Sequence, residues 1–253
     1  MFTKAIVRTP GKSMADGLTT ACLGIPNYEQ ALFQHSKYIG ALKECGLEIL
    51  VLDPDEELPD STFIEDVALL TKSCAIITNP GAPSRQKEIS TIKTVLRNYY
   101  SNIEKIREPG TVEAGDIMMV DDHFYIGISE RTNESGAQQV ITFLEKYDMS
   151  GSMVELENVL HLKTGVSYLE NNNLVVSGEF LSRQEFQKFN LLKIDDDESY
   201  AANCIWVNNR VLMPEGYPKA RKTIKNAGYS VIEIDLSEFR KLDGGLSCLS
   251  LRF

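Results

Sequence analysis

One cysteine stands in a setting that differs from those of the other four. The chain has five cysteines, and those at positions 22, 45, 74 and 204 have apolar neighbours, as small buried side chains do. Cys248 instead follows Asp-Gly-Gly-Leu-Ser, and paired glycines allow close approach of another backbone or a positive φ. A thiolate in such a turn could serve as a nucleophile. The pattern also fits a glycine turn that leads into a final strand. Taken by itself, it favours this structural interpretation over a catalytic one.

A histidine and two acidic stretches could supply the other groups of a hydrolytic site. His161 precedes a predicted strand and could act as a general acid and base. His35 has the helical spacing of a packed residue, and His123 lies in a predicted turn. The acidic stretches are Asp-Ser-Thr-Phe-Ile-Glu-Asp at 60–66 and Glu-Ala-Gly-Asp at 113–116. Carboxylates that converge would suit a planar guanidinium, although each acid alone could simply be solvated.

The elements that must position these groups follow a repeat of a hairpin, a helix and a short apolar strand. Asn and Asp at the predicted turns tolerate the backbone angles that tight hairpins need. The predicted hairpins pair 67–71 with 74–78, 117–120 with 124–128, 166–169 with 174–177, and 204–207 with 211–213. The predicted helices cover 28–45, 84–100, 133–147, 179–189 and 218–227, and the strands after them cover 48–52, 103–107, 153–156, 191–194 and 229–234.

The two ends of the sequence would complete a fifth repeat. Strand 4–7 lacks half a hairpin, and strand 247–252 could supply it by pairing beside it, which would close a ring and remove exposed edges. A period of roughly 40–50 residues is typical of propellers. The prediction is an α/β fold, a five-bladed α/β-propeller of ββαβ repeats with pseudo-fivefold symmetry, in which residues 1–253 form a single domain.

Composition excludes several classes of partner. The formal net charge of −10 should repel phosphate backbones and anionic membranes, so no nucleic-acid or membrane partner is expected, whereas a cationic small molecule would fit. An odd number of cysteines without CxxC spacing argues against a disulfide framework and a structural zinc site. Because no apolar run reaches membrane-spanning length and no apolar signal core follows Met1, we expect a reduced, cytoplasmic protein.

Taken together, the motifs resemble those of the dimethylarginine dimethylaminohydrolase family, particularly its small bacterial form within the guanidine-modifying pentein superfamily. The resemblance runs nearly end to end. It rests on Asp-Gly-Leu-Thr at 16–19, Phe-Ile-Glu-Asp at 63–66, Val-Glu-Ala-Gly-Asp at 112–116, His-Leu-Lys-Thr at 161–164 and Asp-Gly-Gly-Leu-Ser-Cys at 243–248. Each motif alone is common, but their joint order and spacing are specific.

The resemblance implies a role for each matched position. Cys248 would attack the guanidinium carbon, His161 would be the general acid and base, and Glu113 would hold both the guanidinium and the histidine. The implied substrate-binding set is Asp66 for the guanidinium, Glu65 for positioning, Arg85 and Arg131 for the carboxylate, and Asp60 with the main-chain carbonyls of Leu18 and Leu242 for the α-amino group. The implied reaction converts methylated arginine to citrulline and an amine through a covalent thiouronium, with no metal and no cofactor. The bacterial relatives suggest a homodimer.

Two alternatives remain at this stage. Arginine deiminase uses the same groups on unmethylated arginine, but it usually carries an extra helical domain, so the length of this chain favours the methylated substrate. A non-catalytic binding propeller of the same superfamily would not need Cys248, His161, Glu113 and Asp66 together.

Overall fold

Short strands alternate with helices throughout the computed structural model, which describes residues 1–253. The strands are β1 (Lys4–Arg8), β2 (Glu48–Leu52), β3 (Ala68–Leu70), β4 (Ala75–Ile77), β5 (Ile103–Lys105), β6 (Ile117–Val120), β7 (His123–Ile128), β8 (Ser150–Glu155), β9 (Val166–Tyr168), β10 (Asn173–Val176), β11 (Asn190–Lys193), β12 (Ile205–Val207), β13 (Arg210–Pro214), β14 (Ser230–Ile234) and β15 (Leu251–Arg252). The α-helices are α1 (Tyr28–Glu44), α2 (Ile89–Leu96), α3 (Glu134–Glu145), α4 (Pro218–Asn226) and α5 (Ser237–Arg240). None of these helices combines the length and the apolar character that crossing a membrane requires.

The strands form five three-stranded sheets that share one pattern, an antiparallel pair extended by a parallel third strand. The chain folds as two compact units, a first unit of residues 1–64 with 165–253 and a second unit of residues 65–164. The first unit holds the sheets β15-β1-β2, β9-β10-β11 and β12-β13-β14, and the second holds β3-β4-β5 and β6-β7-β8. This confirms the predicted α/β class and the predicted repeat, whereas a single domain over residues 1–253 stays a prediction.

Asn and Asp occupy the tight turns of three hairpins in the conformation that the sequence predicted. Asp121 at the β6–β7 turn has a φ of 52°. In the first unit, Asn171 and Asn172 have φ values of 51° and 61°, and Asn208 and Asn209 have values of 47° and 72°. These left-handed angles match the right-handed twist of the paired strands, and Asn and Asp adopt them at low cost.

The pairing of the two chain ends is confirmed within the first unit, but the final strand is shorter than predicted. β1 pairs antiparallel with β15, with Ala5 opposite Arg252 and Ile6 opposite Leu251. Ser247–Leu249 forms a 3-10 helix, so only the last part of segment 247–252 is extended. The strand prediction failed there because contacts of Gly244 with Phe63 and of Gly245 with Asn203 decide the conformation of these residues.

Helices cover the sheets where the sequence has a clear 3.6-residue period. The buried residues of α1 recur at helical spacing, and its N-cap side chain, Asn27, accepts a hydrogen bond from the Gln30 N–H. In the second unit, Asn133 caps α3 in the same way. The helix predicted at 179–189 is wrong, because two short 3-10 helices, Gly178–Ser182 and Gln184–Phe186, stand there. The helix predicted at 84–100 divides into a 3-10 segment, Pro83–Glu88, followed by α2.

Candidate functional site

A buried histidine lies among carboxylates in the second unit. Nε2 of His161 is 2.8 Å from Oε2 of Glu113, and the Asp66 carboxylate belongs to the same buried cluster. His161 is 8% exposed, Asp66 2% and Glu113 1%. The three side chains come from separate stretches of the sequence, as the motif analysis predicted for a cation-binding site. Charged groups are buried in this way when they are paired with one another.

Turns ahead of two strands bring these side chains together. Glu113 precedes the 3-10 helix Ala114–Asp116, which leads into β6. Asp116 accepts a hydrogen bond from the Leu162 N–H at 3.0 Å, so this turn also holds the backbone next to His161. Gly115 donates its N–H to Oδ1 of Asp66 at 2.9 Å. A Cβ at Gly115 would lie 2.8 Å from both Asp66 Oδ1 and His161 Nδ1, so this position requires glycine.

The carboxylates determine the charge of the imidazole. Burial by itself would lower the pKa of His161, but Asp66, Asp116 and Glu113 outweigh burial and raise that pKa to about 9. Burial would raise the pKa of Asp66, yet the positive charges of His161 and Arg85 keep it below its ordinary value. Burial raises the pKa of Asp116. His161 is therefore a cation at neutral pH and can donate a proton to a leaving amine.

The same cluster has the ligand types of a metal site but not the protonation state that a metal needs. One ligand atom each from Asp66, Glu113 and His161 lies within 4.8 Å of the other two. A metal would need the deprotonated imidazole nitrogen. Nε2 of His161 is bonded to Glu113 at 2.8 Å, and its raised pKa keeps the ring protonated. At neutral pH the donor set therefore fits an imidazolium better than a divalent cation.

Two arginines and a lysine extend this ionic network in the second unit. Nη1 of Arg85 donates to Asp66 at 2.6 Å, while Nε and Nη2 donate to Glu88 at 3.0 and 2.9 Å. Nη1 of Arg131 is 3.7 Å from Oε1 of Glu113, with 22% of the arginine side chain exposed. Lys163 donates to Glu65 at 2.6 Å. Arg85 thus helps to fix Asp66, and a role for either arginine toward a substrate carboxylate stays a prediction.

Cys248 lies in the first unit, in the 3-10 helix Ser247–Leu249 that follows the paired glycines. The Gly245 N–H points at Sγ of Cys248 from 3.5 Å. A Cβ on Gly244 would lie 2.2 Å from the Phe63 ring, and one on Gly245 would lie 2.5 Å from the Asn203 side chain. The prediction that the glycines permit close approach is therefore confirmed. The positive φ in this turn belongs to Asp243, at 57°.

Three residues predicted to recognise an α-amino group meet around Gly17 in the first unit. The Leu18 N–H donates to Oδ1 of Asp60 at 3.0 Å. A Cβ on Gly17 would lie 2.9 Å from Asp60 Oδ1 and 3.5 Å from Cδ2 of Leu242. Asp60 is 6% exposed, whereas Leu18 is 41% exposed at the surface. A buried carboxylate beside an exposed residue is a suitable acceptor for an ammonium group.

The predicted residues therefore form two local groups. The second unit brings together Asp66, Glu113 and His161, and the first brings together Leu18, Asp60 and Leu242. The convergence of both groups and Cys248 at one cavity stays a prediction.

Sequence reasoning missed two polar residues. Lys163 lies inside the matched motif at 161–164, and this position was a signal that could have identified it. Asn203 belongs to no motif, and only its contacts with the turn that carries Cys248 reveal it.

Comparisons with known proteins cover the whole chain. A family model described as N,N dimethylarginine dimethylhydrolase, eukaryotic, matches residues 26–249. The N(G),N(G)-dimethylarginine dimethylaminohydrolase of Pseudomonas aeruginosa is 60% identical over an alignment of 254 residues that covers 100% of both chains. These matches establish the family relationship over nearly the full sequence.

Solved structures show the same likeness. The structure of a cysteine-to-serine mutant of the Pseudomonas aeruginosa protein, complexed with citrulline, matches with a TM-score of 0.99, 58% identity and 100% coverage of both chains. A histidine-to-glycine variant of dimethylarginine dimethylaminohydrolase, as an adduct with S-methyl-L-thiocitrulline, matches with the same score, identity and coverage. This likeness confirms the predicted fold class.

Proposed function

The chain belongs to the dimethylarginine dimethylaminohydrolase family, and from this premise we propose that it hydrolyses Nω-methylated L-arginine. The products are L-citrulline and methylamine or dimethylamine. The observation that carries the proposal is the buried pair of His161 and Glu113, in which a histidine held as a cation is ready to protonate an amine. The full-length relationship to an N(G),N(G)-dimethylarginine dimethylaminohydrolase supports the choice of substrate.

Covalent catalysis divides the difficult hydrolysis of a guanidinium into two easier halves. In the first half, the thiolate of Cys248 forms a bond to the guanidinium carbon. His161 gives its proton to the methylated nitrogen, the C–N bond breaks, and the amine leaves. In the second half, neutral His161 takes a proton from water, which attacks the thiouronium carbon. The C–S bond then breaks, the remaining hydroxyl proton passes to the departing sulfur or to solvent as the citrulline carbonyl forms, and Cys248 is regenerated on the enzyme.

Carboxylates hold the substrate in the orientation that this attack requires. Glu113 accepts from the guanidinium and from His161, and Asp66 accepts from the guanidinium, with Glu65 in a positioning role. The burial and the low pKa of Asp66 support its role, because a carboxylate that stays ionised favours a cationic ligand. This scheme uses no metal and no cofactor.

At the other end of the substrate, the protein recognises the free α-carboxylate and the free α-amino group. Arg85 and Arg131 bind its carboxylate, and Asp60 with the carbonyls of Leu18 and Leu242 binds its α-amino group. The contact between Leu18 and Asp60 supports the second assignment. Methylarginine within a peptide lacks both charged ends and should not react.

We propose that residues 1–253 act as a single catalytic domain in the cytoplasm and that the chain assembles as a homodimer. Five free cysteines, of which Cys22 is exposed, suit a reducing compartment. The net charge of −10 supports a small cationic substrate and argues against nucleic-acid and membrane partners. Cell fractionation and light scattering test these assignments.

A turnover assay separates this proposal from its alternatives. Purified protein is incubated with asymmetric dimethylarginine, monomethylarginine or arginine, and citrulline and the amine are measured, with Cys248→Ser as the control. We expect wild type to convert asymmetric dimethylarginine to citrulline and dimethylamine in equal amounts, and we expect Cys248→Ser to form neither product. Preference for arginine would indicate a deiminase, and no turnover of any substrate would favour a non-catalytic binding protein.

A further inference from the structure

A buried amide supports the turn that carries Cys248. Oδ1 of Asn203 accepts the Ser247 N–H at 3.0 Å, and Nδ2 of Asn203 donates to Oγ of Ser247 at 3.1 Å. Asn203 is 7% exposed and Ser247 is 2% exposed. Both polar ends of one amide are thus used to hold the residue directly before Cys248, in a place where water competes weakly.

The same amide packs against the glycine whose N–H faces the sulfur. A Cβ on Gly245 would lie 2.5 Å from the Asn203 side chain, so the Gly245 backbone is in close contact with it. The Tyr200 hydroxyl donates to the Gly244 carbonyl at 2.7 Å and fixes the turn from the same segment. Tyr200 and Asn203 both come from the end of the 3-10 helix Asp196–Ala202.

The Gly245 N–H and the Ser247 hydroxyl face Sγ of Cys248 as a result. The Gly245 N–H lies 3.5 Å from the sulfur, and Oγ of Ser247 lies 3.9 Å from it. Because Nδ2 of Asn203 already donates to the Ser247 oxygen, the hydroxyl proton of Ser247 is free to point to the sulfur. Donors directed at sulfur stabilise thiolate relative to thiol.

We propose that Asn203 is a positioning residue for the nucleophile, and that it acts through Ser247 and Gly245 to direct their O–H and N–H at Sγ of Cys248. The inference rests on the proposed function in so far as Cys248 is the nucleophile. Asn203 does not touch the substrate. Its effect should appear in the reactivity of the thiol and in kcat, with little change in KM.

The test compares Asn203→Ala and Ser247→Ala with wild type by alkylation of Cys248 with iodoacetamide across pH, followed peptide by peptide in a mass spectrometer. Exposed Cys22 in the same molecule is the internal reference. Asn173→Ala is the matched control, since it removes a half-buried side-chain amide that donates to Tyr229 at 2.8 Å, outside the turn. Ser247→Ala keeps the backbone N–H of residue 247 bonded to Asn203, so it remains informative if Asn203→Ala folds poorly.

We expect Asn203→Ala to slow alkylation of Cys248 at neutral pH by about tenfold and to move its pH midpoint upward, since a hydrogen bond to a charged group is worth about that factor. Turnover of dimethylarginine should fall by a similar factor with KM nearly constant. Ser247→Ala should show a smaller shift in the same direction, and the double variant should equal Asn203→Ala, because the two residues act as one unit. Asn173→Ala should behave like wild type.

The results separate this inference from the proposed function. Unchanged Cys248 alkylation in Asn203→Ala and Ser247→Ala, with dimethylarginine turnover intact in wild type, would overturn the positioning role alone. If Cys248 alkylation is slowed in Asn203→Ala and Ser247→Ala while wild type turns over no substrate, the positioning role is supported and the proposed reaction is refuted. An equal loss in Asn173→Ala would mean that general destabilisation, not the turn, causes the effect.

Discussion

At the scale of single residues, the charge of His161 depends on the carboxylates around it. Their combined field raises its pKa to about 9, above the ordinary value of 6.5. A raised histidine pKa adds stability that is fully present below pH 6.5 and is lost as the pH rises through about 9. Protonated His161 should therefore contribute to both folding and proton donation at neutral pH.

Removing the hydrogen-bonded carboxylate should lower this pKa. We expect Glu113→Gln to shift the titration of His161, followed by NMR of its ring protons, from about 9 toward 6.5, because the amide carries no negative charge. His123, which is bonded to Ser150 and Ser152, serves as the control and should titrate as in wild type. An unshifted His161 in the variant would show that Glu113 does not set its charge.

The two arginines assigned to the substrate carboxylate should respond differently to truncation. Arg131 is partly exposed, and the 3.7 Å between its Nη1 and Oε1 of Glu113 is long for an ion pair, so Arg131→Ala should fold. The variant should raise KM for dimethylarginine by about tenfold or more, because it loses a charge-assisted contact to the substrate. Steady-state kinetics measure this, with Arg183→Ala as a control, since Arg183 is similarly exposed and pairs with Glu179. An unchanged KM in Arg131→Ala would remove Arg131 from the binding site.

Arg85→Ala should instead damage the fold. Its guanidinium is bonded to Asp66 and Glu88 on a side chain that is 6% exposed, and truncation would leave two buried carboxylates without this partner. Breaking a buried pair from one side costs about 3–5 kcal/mol of unfolding free energy. Urea unfolding would reveal this, and a fully stable variant would contradict the account.

At the scale of secondary-structure elements, helix α1 carries a buried histidine that makes the fold sensitive to acid. Nε2 of His35 is buried without a hydrogen-bond partner, and burial lowers the pKa of His35 from 6.5 to about 4. The unfolded chain therefore binds this proton between about pH 6.5 and 4 while the folded chain does not. Stability should decline over this window as the pH falls.

Replacing this histidine should reduce the acid sensitivity. Between pH 7 and pH 4, wild type should lose about 3 kcal/mol more unfolding free energy than His35→Leu, which has no proton to bind. Denaturant titrations at several pH values measure the difference, and His123→Gln provides the control at a less buried position. Parallel pH profiles for wild type and His35→Leu would rule out His35 as the source.

Elements with a clear local period could be predicted from the sequence, and elements set by distant contacts could not. Strand β2 and helices α1, α3 and α4 lie within one or two residues of their predicted ends, because their apolar spacing is a property of the segment itself. The 3-10 turn at Cys248 depends on Phe63 and Asn203, which lie far away in the sequence.

Only those residues of the candidate site that belong to the matched motifs could be predicted from the sequence. His161, Glu113 and Asp66 belong to matched motifs, and the structure joins them in one buried cluster. Asn203 is a single amide at the end of a short 3-10 helix, and no spacing or composition marks it. A residue that supports a catalytic turn without contacting the substrate is hard to identify from a single sequence, because many polar residue types could make such hydrogen bonds.

At the scale of the whole molecule, a net charge of −10 should attract a cationic substrate. Methylated arginine carries one net positive charge, and exposed charges act over about 30 Å in 0.01 M salt but only about 8 Å in 0.15 M salt. We expect kcat/KM to fall severalfold over this range while kcat stays constant, because salt screens the encounter and not the chemistry. Initial rates in sodium chloride measure this, and a kcat/KM independent of salt would contradict it.

The left-handed hairpin turns restrict how the sequence can drift over evolutionary time. At Asn171, Asn172, Asn208 and Asn209, every replacement must tolerate the φ values of 47–72° found there. Glycine and aspartate do so, whereas valine and isoleucine are strongly disfavoured. A library of all substitutions at these four sites should therefore retain mainly asparagine, aspartate and glycine, although none of the four belongs to the candidate site. Natural sequences that keep these hairpins should therefore show a narrow choice of residue at these four positions.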